Sequence, residues 1–277
     1  MNSCPICNSS SLTSTSRGRN LLLHCNDCDV HVLMHPPEQD YLDSYYSSEY
    51  IMSKAESLAS EHRRIFRFPE QYWLISQLQE QGINSGSSVL DIGCDKGYFI
   101  DQCRRFGYSV TGVEPSISAR SYCESVGLKV YSNLKEIHAK FDAITMWHVL
   151  EHFTNPHGVI ADCEEKLHTG GFLFIRVPDF ASFWSSLLGK AWIWFQPNNH
   201  YVHYSKMSLT RLIESHGFDI ISCTSRKPND MLTKKSGLLA DKTLKRNFGY
   251  KQSFKKYLGR LYEHFTGVEL FLIARKK

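Results

Sequence analysis

The central part of the chain switches repeatedly between two hydrophobic periodicities. The runs Ser88–Gly93 (SVLDIG), Ser109–Glu114 (SVTGVE), Phe141–Trp147 (FDAITMW) and Gly171–Pro178 (GFLFIRVP) are short, mostly apolar and rich in β-branched and aromatic residues, as buried strands are. Between them, over 97–106, 116–126 and 156–168, the apolar positions recur at helical spacing. Such alternation predicts βαβ units on a parallel sheet. A further helix near Leu209–His216, stopped by Gly217, and the strands FDIISCTS and GVELFLIAR complete the pattern.

The same reading divides the chain. Helical spacing over 53–81 (Ile65, Phe66, Tyr72, Trp73, Ile75, Leu78) predicts one long or two short helices ending at Gly82. Before them lies a tyrosine-rich stretch, HPPEQDYLDSYYSSEY, whose paired prolines mark a boundary. The expected units are therefore residues 1–35, a linker with N-terminal helices over 36–82, and an α/β domain over 83–277. That domain carries an aromatic insertion at 180–204 and a basic insertion at 227–266, longer than a connection between two strands needs.

Charge adds an asymmetry. Residues 226–277 hold 14 Lys or Arg against four Asp or Glu, so a net +4 divides into +10 there and −6 elsewhere. Such a segment attracts phosphate, anionic lipid or nucleic acid, or is a solvated helix face. The N-terminus lacks a basic stretch followed by an apolar core, and no later run reaches membrane-spanning length. With nine cysteines, an odd set, the expected location is a reducing cytoplasm.

The chemistry begins at VLDIGCDKGYF. It places Asp91 at the end of a strand and Gly93 and Gly97 in the turn opening a helix, where backbone amides can approach a ligand. Asp95 and Tyr98 occupy the second and third glycine positions of a dinucleotide fingerprint, which argues against a pyrophosphate. Glu114 ends the next strand, 21 residues after Gly93, where a carboxylate can accept both hydroxyls of a ribose. These residues describe a nucleoside site without a pyrophosphate cradle. Together with FDAITMWHVLEH, HTGGFLFIRVP, HYVHYS and the helix ending in HGF, the pattern resembles the class I S-adenosylmethionine-dependent methyltransferases over residues 83–226. The resemblance implies a Rossmann-like, seven-stranded, mostly parallel sheet with helices on both faces, and the spacing of the N-terminal cysteines puts a small zinc ribbon before it. The resemblance also implies S-adenosyl-L-methionine as cofactor. Asp91 and Gly93 would lie near the methionyl group, with Gly97 in the same turn, and Glu114, followed by Pro115, on the ribose. Asn133, Met146 and Trp147 would flank the adenine, although Trp147 reads equally well as a core residue. Family members usually carry a small residue where Asp95 stands, and its carboxylate would oppose that of the cofactor.

Residues 1–35 are too polar for a core of their own. Cys4, Cys7, Cys25 and Cys28 form CxxC, 17 intervening residues, CxxC, the spacing of a structural four-thiolate zinc site. Metal would supply the folding energy that such a segment lacks, and His24 and His31 would be bystanders.

Methyl transfer to oxygen, nitrogen or carbon needs positioning and, for an alcohol or carbon acid, one base. His148 and His152 follow the fourth strand, and His200 and His203 lie in NNHYVHYS. His200 and His148 are expected to face the substrate, His203 to matter less, and His152 to cap its loop. The aromatic insertion reads as a substrate wall or as a helix packed on the core. The expected acceptor is a small molecule, such as a sugar, glycolipid precursor or secondary metabolite, and the basic insertion suits one bearing phosphate. The alternatives are an RNA methyltransferase that uses the ribbon and basic region to hold nucleic acid, and a partner protein that keeps the fold without catalysis.

Overall fold

A computed structural model describes residues 1–35, 71–226 and 268–277. Most of the linker, the positions before 71 where helix is expected, and the basic insertion lie outside the described residues.

Strands β1 (Leu12–Arg17), β2 (Asn20–Cys25) and β3 (His31–Leu33) form an antiparallel meander at the N-terminus. Helical residues 71–80 (α1) then lead into β4 (Ser88–Ile92), α2 (Tyr98–Arg105), β5 (Ser109–Val113), α3 (Ile117–Ser125), β6 (Val130–Tyr131), β7 (Phe141–Trp147), α4 (Pro156–Lys166) and β8 (Leu167–Pro178). The insertion contributes α5 (Phe183–Leu188) and β9 (Val202–His203), followed by α6 (Lys206–Glu214), β10 (Phe218–Arg226) and β11 (Glu269–Lys276). The helices start where the local chemistry says they should. Ser116 caps α3, Asn155 and Pro156 open α4, and Ser205 with Ser208 makes a reciprocal box at α6.

Seven strands order as β10-β11-β8-β7-β4-β5-β6. All neighbours run parallel except at β11, which is antiparallel to both β8 and β10. Strand order reverses about β4, so the crevice for a ligand opens at the carboxyl ends of β4, β5 and β7. Those ends carry Gly93, Glu114 and His148.

The N-terminal meander is not a separate bead. β9, from the aromatic insertion, pairs antiparallel with β3 (His31 opposite His203, Val32 opposite Val202) and makes the sheet four-stranded. Cys4, Ile6, Cys25, Cys28, Val30 and Val32 share one buried cluster with Leu209 and Leu212 of α6 and with strand residues of the large sheet. A smaller cluster joins Leu22 and Leu33 to Phe180, Trp192, Phe195 and Tyr201. The module too polar for its own core thus borrows that of its neighbour. The insertion is a packed wall on its inner side, while Phe183 and Leu187 of α5 remain exposed.

Candidate active site

The glycine turn is built by backbone constraint. Gly93 and Gly97 take φ of 72° and 68°, the left-handed region that side chains rarely adopt. A Cβ on Gly93 would lie 2.4 Å from Val149, and one on Gly97 would lie 2.5 Å from Leu128. Asp95 lies in the same region, at φ 48°. That conformation explains why glycine suits the position and makes the aspartate costly there.

Two buried carboxylates stand at the carboxyl ends of β4 and β5. Asp91 is buried and accepts from Thr145 Oγ1 at 2.6 Å. Burial raises its pKa to about 7 against the pull of that hydrogen bond, and Glu114 adds to the rise. Glu114 is buried too, accepting the backbone N–H of Asp95 at 3.0 Å through one oxygen and that of Ser116 at 2.8 Å through the other. Burial also raises its pKa. Two amides leave lone pairs on both oxygens, so the carboxylate is fixed and can still accept two ribose hydroxyls. Turn, acid and nearby Pro115 fit the nucleoside end of S-adenosylmethionine.

The residues expected around an adenine are placed less uniformly. Met146 is fully buried, and exposed Asn133 binds locally, accepting from Lys135 N at 3.0 Å and donating to Glu136 at 2.7 Å. Trp147 meets Phe99 edge-on at 5.4 Å and stacks with Phe271 at 6.1 Å. These contacts set Trp147 against aromatic residues of α2 and β11.

Beyond the turn, the ends of β7 and β8 and the start of β11 meet in a buried charge network. His148, at φ 57°, places Nε2 3.1 Å from Glu269 Oε1 and Nδ1 3.4 Å from Glu151 Oε1, while Arg176 pairs with the other oxygen of Glu269. Burial alone would lower the His148 pKa, yet Glu269 and Glu151 overcome it and raise it to about 9. At neutral pH His148 is an imidazolium, with no lone pair for a proton. Trp194 of the insertion stacks on its ring at 4.6 Å. Arg176 and Glu269 escaped the sequence reading, although a lone charge inside the apolar strands GFLFIRVP and GVELFLIAR was a usable signal, and Glu151, read with His152 as a loop cap, joins the network instead.

His200 differs. It is 4% exposed and donates through Nδ1 to the Trp194 carbonyl at 2.9 Å, because a carbonyl can only accept. Burial lowers its pKa to about 4, so the ring is neutral with Nε2 as its basic atom. His152 packs edge-on against it at 4.8 Å and donates to the Asn199 carbonyl at 2.7 Å. Glu151, His152 and His200 offer ligand atoms within 4.8 Å of one another, a spacing that a cation or shared proton could bridge. His203 turns to the other module, stacking on Phe180 at 4.6 Å opposite His31. The structure thus gathers His148, His152 and His200 over the sheet edge and directs His203 away.

In the N-terminal module the four thiol sulfurs lie within 4.8 Å, with Cys4–Cys28 and Cys7–Cys25 at 3.5 Å. These separations exceed a disulfide bond and approach the S···S edge of about 3.8 Å of a zinc tetrathiolate. The donor set therefore suits zinc. His31 sits between His24, stacked at 4.3 Å, and Phe180.

The model of a methyltransferase domain family matches residues 61–223, more than half of the chain. The chain belongs to this methyltransferase family. Among curated proteins it is 33% identical over 100 residues to a ubiquinone biosynthesis O-methyltransferase of Shewanella pealeana, covering 32% of the chain and 42% of that protein. A protein of the same name from Coxiella burnetii is 26% identical over 166 residues, covering 54% and 71%. The chain thus spans about two-fifths to seven-tenths of the length of these relatives. In fold it is similar to magnesium protoporphyrin IX methyltransferase from Synechocystis PCC 6803, solved with S-adenosylhomocysteine (TM-score 0.55, 13% identity, 87% and 100% covered). It is also similar to a cyclopropane synthase from Mycobacterium tuberculosis (TM-score 0.50, 14% identity, 73% and 84% covered). Among the described residues no helix is long and apolar enough to cross a membrane.

Proposed function

We propose that the protein moves a methyl group from S-adenosylmethionine to an oxygen, nitrogen or carbon of a small-molecule acceptor, with zinc held by Cys4, Cys7, Cys25 and Cys28 as a structural ion. The observation that carries the reading is the pairing of a left-handed glycine turn with the buried, doubly amide-held carboxylate of Glu114. When bound, the cofactor supplies an electrophilic methyl group. Glu114 would hold the ribose, with Asp91 beside the methionyl end. The small-molecule acceptor is supported by the relatives named ubiquinone biosynthesis O-methyltransferase.

His200 is the group suited to remove a proton from the acceptor. It is neutral and buried, and Trp194 fixes its tautomer. His148, held as a cation between two carboxylates, orients its surroundings instead. Trp194 over His148 supplies an apolar wall for an acceptor such as a sugar, glycolipid precursor or secondary metabolite. A transfer screen with radiolabelled S-adenosylmethionine, small-molecule pools and structured RNA in parallel tests this reading. Label in small molecules supports it, label in RNA alone overturns the acceptor class, and no label in any acceptor overturns the activity.

A further inference from the structure

Tyr201 sits where the two modules meet. Its N–H donates to the Glu151 carbonyl at 2.8 Å, and its own carbonyl accepts from Leu33 N at 3.0 Å. One peptide neighbour thus ties β3 of the cysteine module to the turn that carries Glu151 and His152. His200 is the preceding residue, and Trp194 is bound to it through the Nδ1 hydrogen bond. β3 is anchored at its other end, since Cys25 and Cys28 flank the turn between β2 and β3, and Cys25 N donates to the Val30 carbonyl at 2.9 Å. A second tie is Arg17. Its guanidinium donates to Ser185 at 2.9 Å and lies 3.9 Å over the Phe180 ring, where the insertion begins.

We propose that the four-cysteine module is the positioning scaffold of the acceptor wall, its metal state setting the placement of Trp194 and His200. The physical basis is that 192–203 contributes only the short β9 and leans on borrowed core: Trp192, Phe195 and Tyr201 are buried against Leu22 and Leu33. The glycine turn and Glu114, in contrast, are built within β4, β5 and the helix after each. Loss of metal should therefore loosen the acceptor side and leave the cofactor side intact. The inference rests on the proposed role of the cysteines, which metal content reads apart from the exchange, and it does not require His200 to be the base.

The full-length protein, zinc-loaded, is compared with Cys25→Ser, and two variants that leave all four cysteines in place, Leu33→Ala and Arg17→Ala, are run beside it. Metal content, S-adenosylmethionine affinity and peptide-level hydrogen exchange are measured on each. The expected result for Cys25→Ser is metal loss, at least tenfold faster exchange over 192–204, unchanged exchange in β4 and β5, and cofactor affinity within twofold. Leu33→Ala should speed exchange over 192–204 with metal retained, and Arg17→Ala should speed it over 180–188. Unchanged protection over 192–204 in a metal-free Cys25→Ser protein, or in Leu33→Ala, overturns the proposal. So does a loss of cofactor affinity that parallels the exchange, because the module would then support the whole domain. Wild-type protein without zinc, or without cofactor binding, fails the functional reading, and Leu33→Ala still decides the positioning claim.

Discussion

The charge on His148 has a consequence that unfolding experiments can read. In an unfolded chain its imidazole has the usual pKa of 6.5, and in the fold Glu269 and Glu151 raise it to about 9. Between those values the native state holds a proton that the unfolded state has released, so stability falls as pH rises. The gap corresponds to about 3 kcal/mol at roughly 1.4 kcal/mol per pH unit, fully present below pH 6.5 and lost above pH 9. From pH 7 to 8.5 the wild type should lose about 2 kcal/mol through this group. Urea titrations at half-unit steps measure that slope against His148→Gln. The variant should be less stable at pH 7, because two buried carboxylates lose a cation, and its stability should fall less steeply with pH. Taking the difference cancels buried Asp91 and the cysteines, which titrate in both proteins. Parallel slopes from pH 7 to 8.5 would refute the assignment of a charged His148 and reopen it as a base.

Three further predictions follow from the site and the cysteines. His200→Ala should lower turnover by about 10²- to 10⁴-fold with cofactor affinity nearly intact, and because burial holds His200 at about 4, the acid limb attributable to it should fall near pH 4; an acid limb near neutrality that His200→Ala removes would contradict its burial. Asp95→Gly relieves a left-handed backbone and a carboxylate near the cofactor's own, so calorimetry should show tighter binding and denaturation a raised midpoint; weaker binding would make Asp95 a contact. Metal analysis of protein prepared without chelator should give about one zinc per chain, and a metal-free, fully folded sample would remove the structural role.

Much of this was legible in the sequence because it rests on local rules. Strand and helix alternation follows from periodicity, and the glycine turn and CxxC pairs follow from spacing. What escaped is non-local. β9 is two residues long and exists only through β3, some 170 positions earlier, so no local pattern announces it. The partners of His148 lie on β11 and in the turn after β7, the former 121 positions away. Without them a strand-end histidine reads as a base, and with them it is a cation. Trp147 shows the same limit, since its neighbours Phe99 and Phe271 come from two other elements.

The most direct test is calorimetric titration of S-adenosylmethionine into the full-length protein and into Glu114→Ala. The account predicts one site per chain in the wild type. In the variant, loss of an acceptor for two hydroxyls, about 1.5–3 kcal/mol together, should weaken binding by about one to two orders of magnitude. Saturable binding with the same dissociation constant in both proteins, or none in a folded wild type, would contradict it.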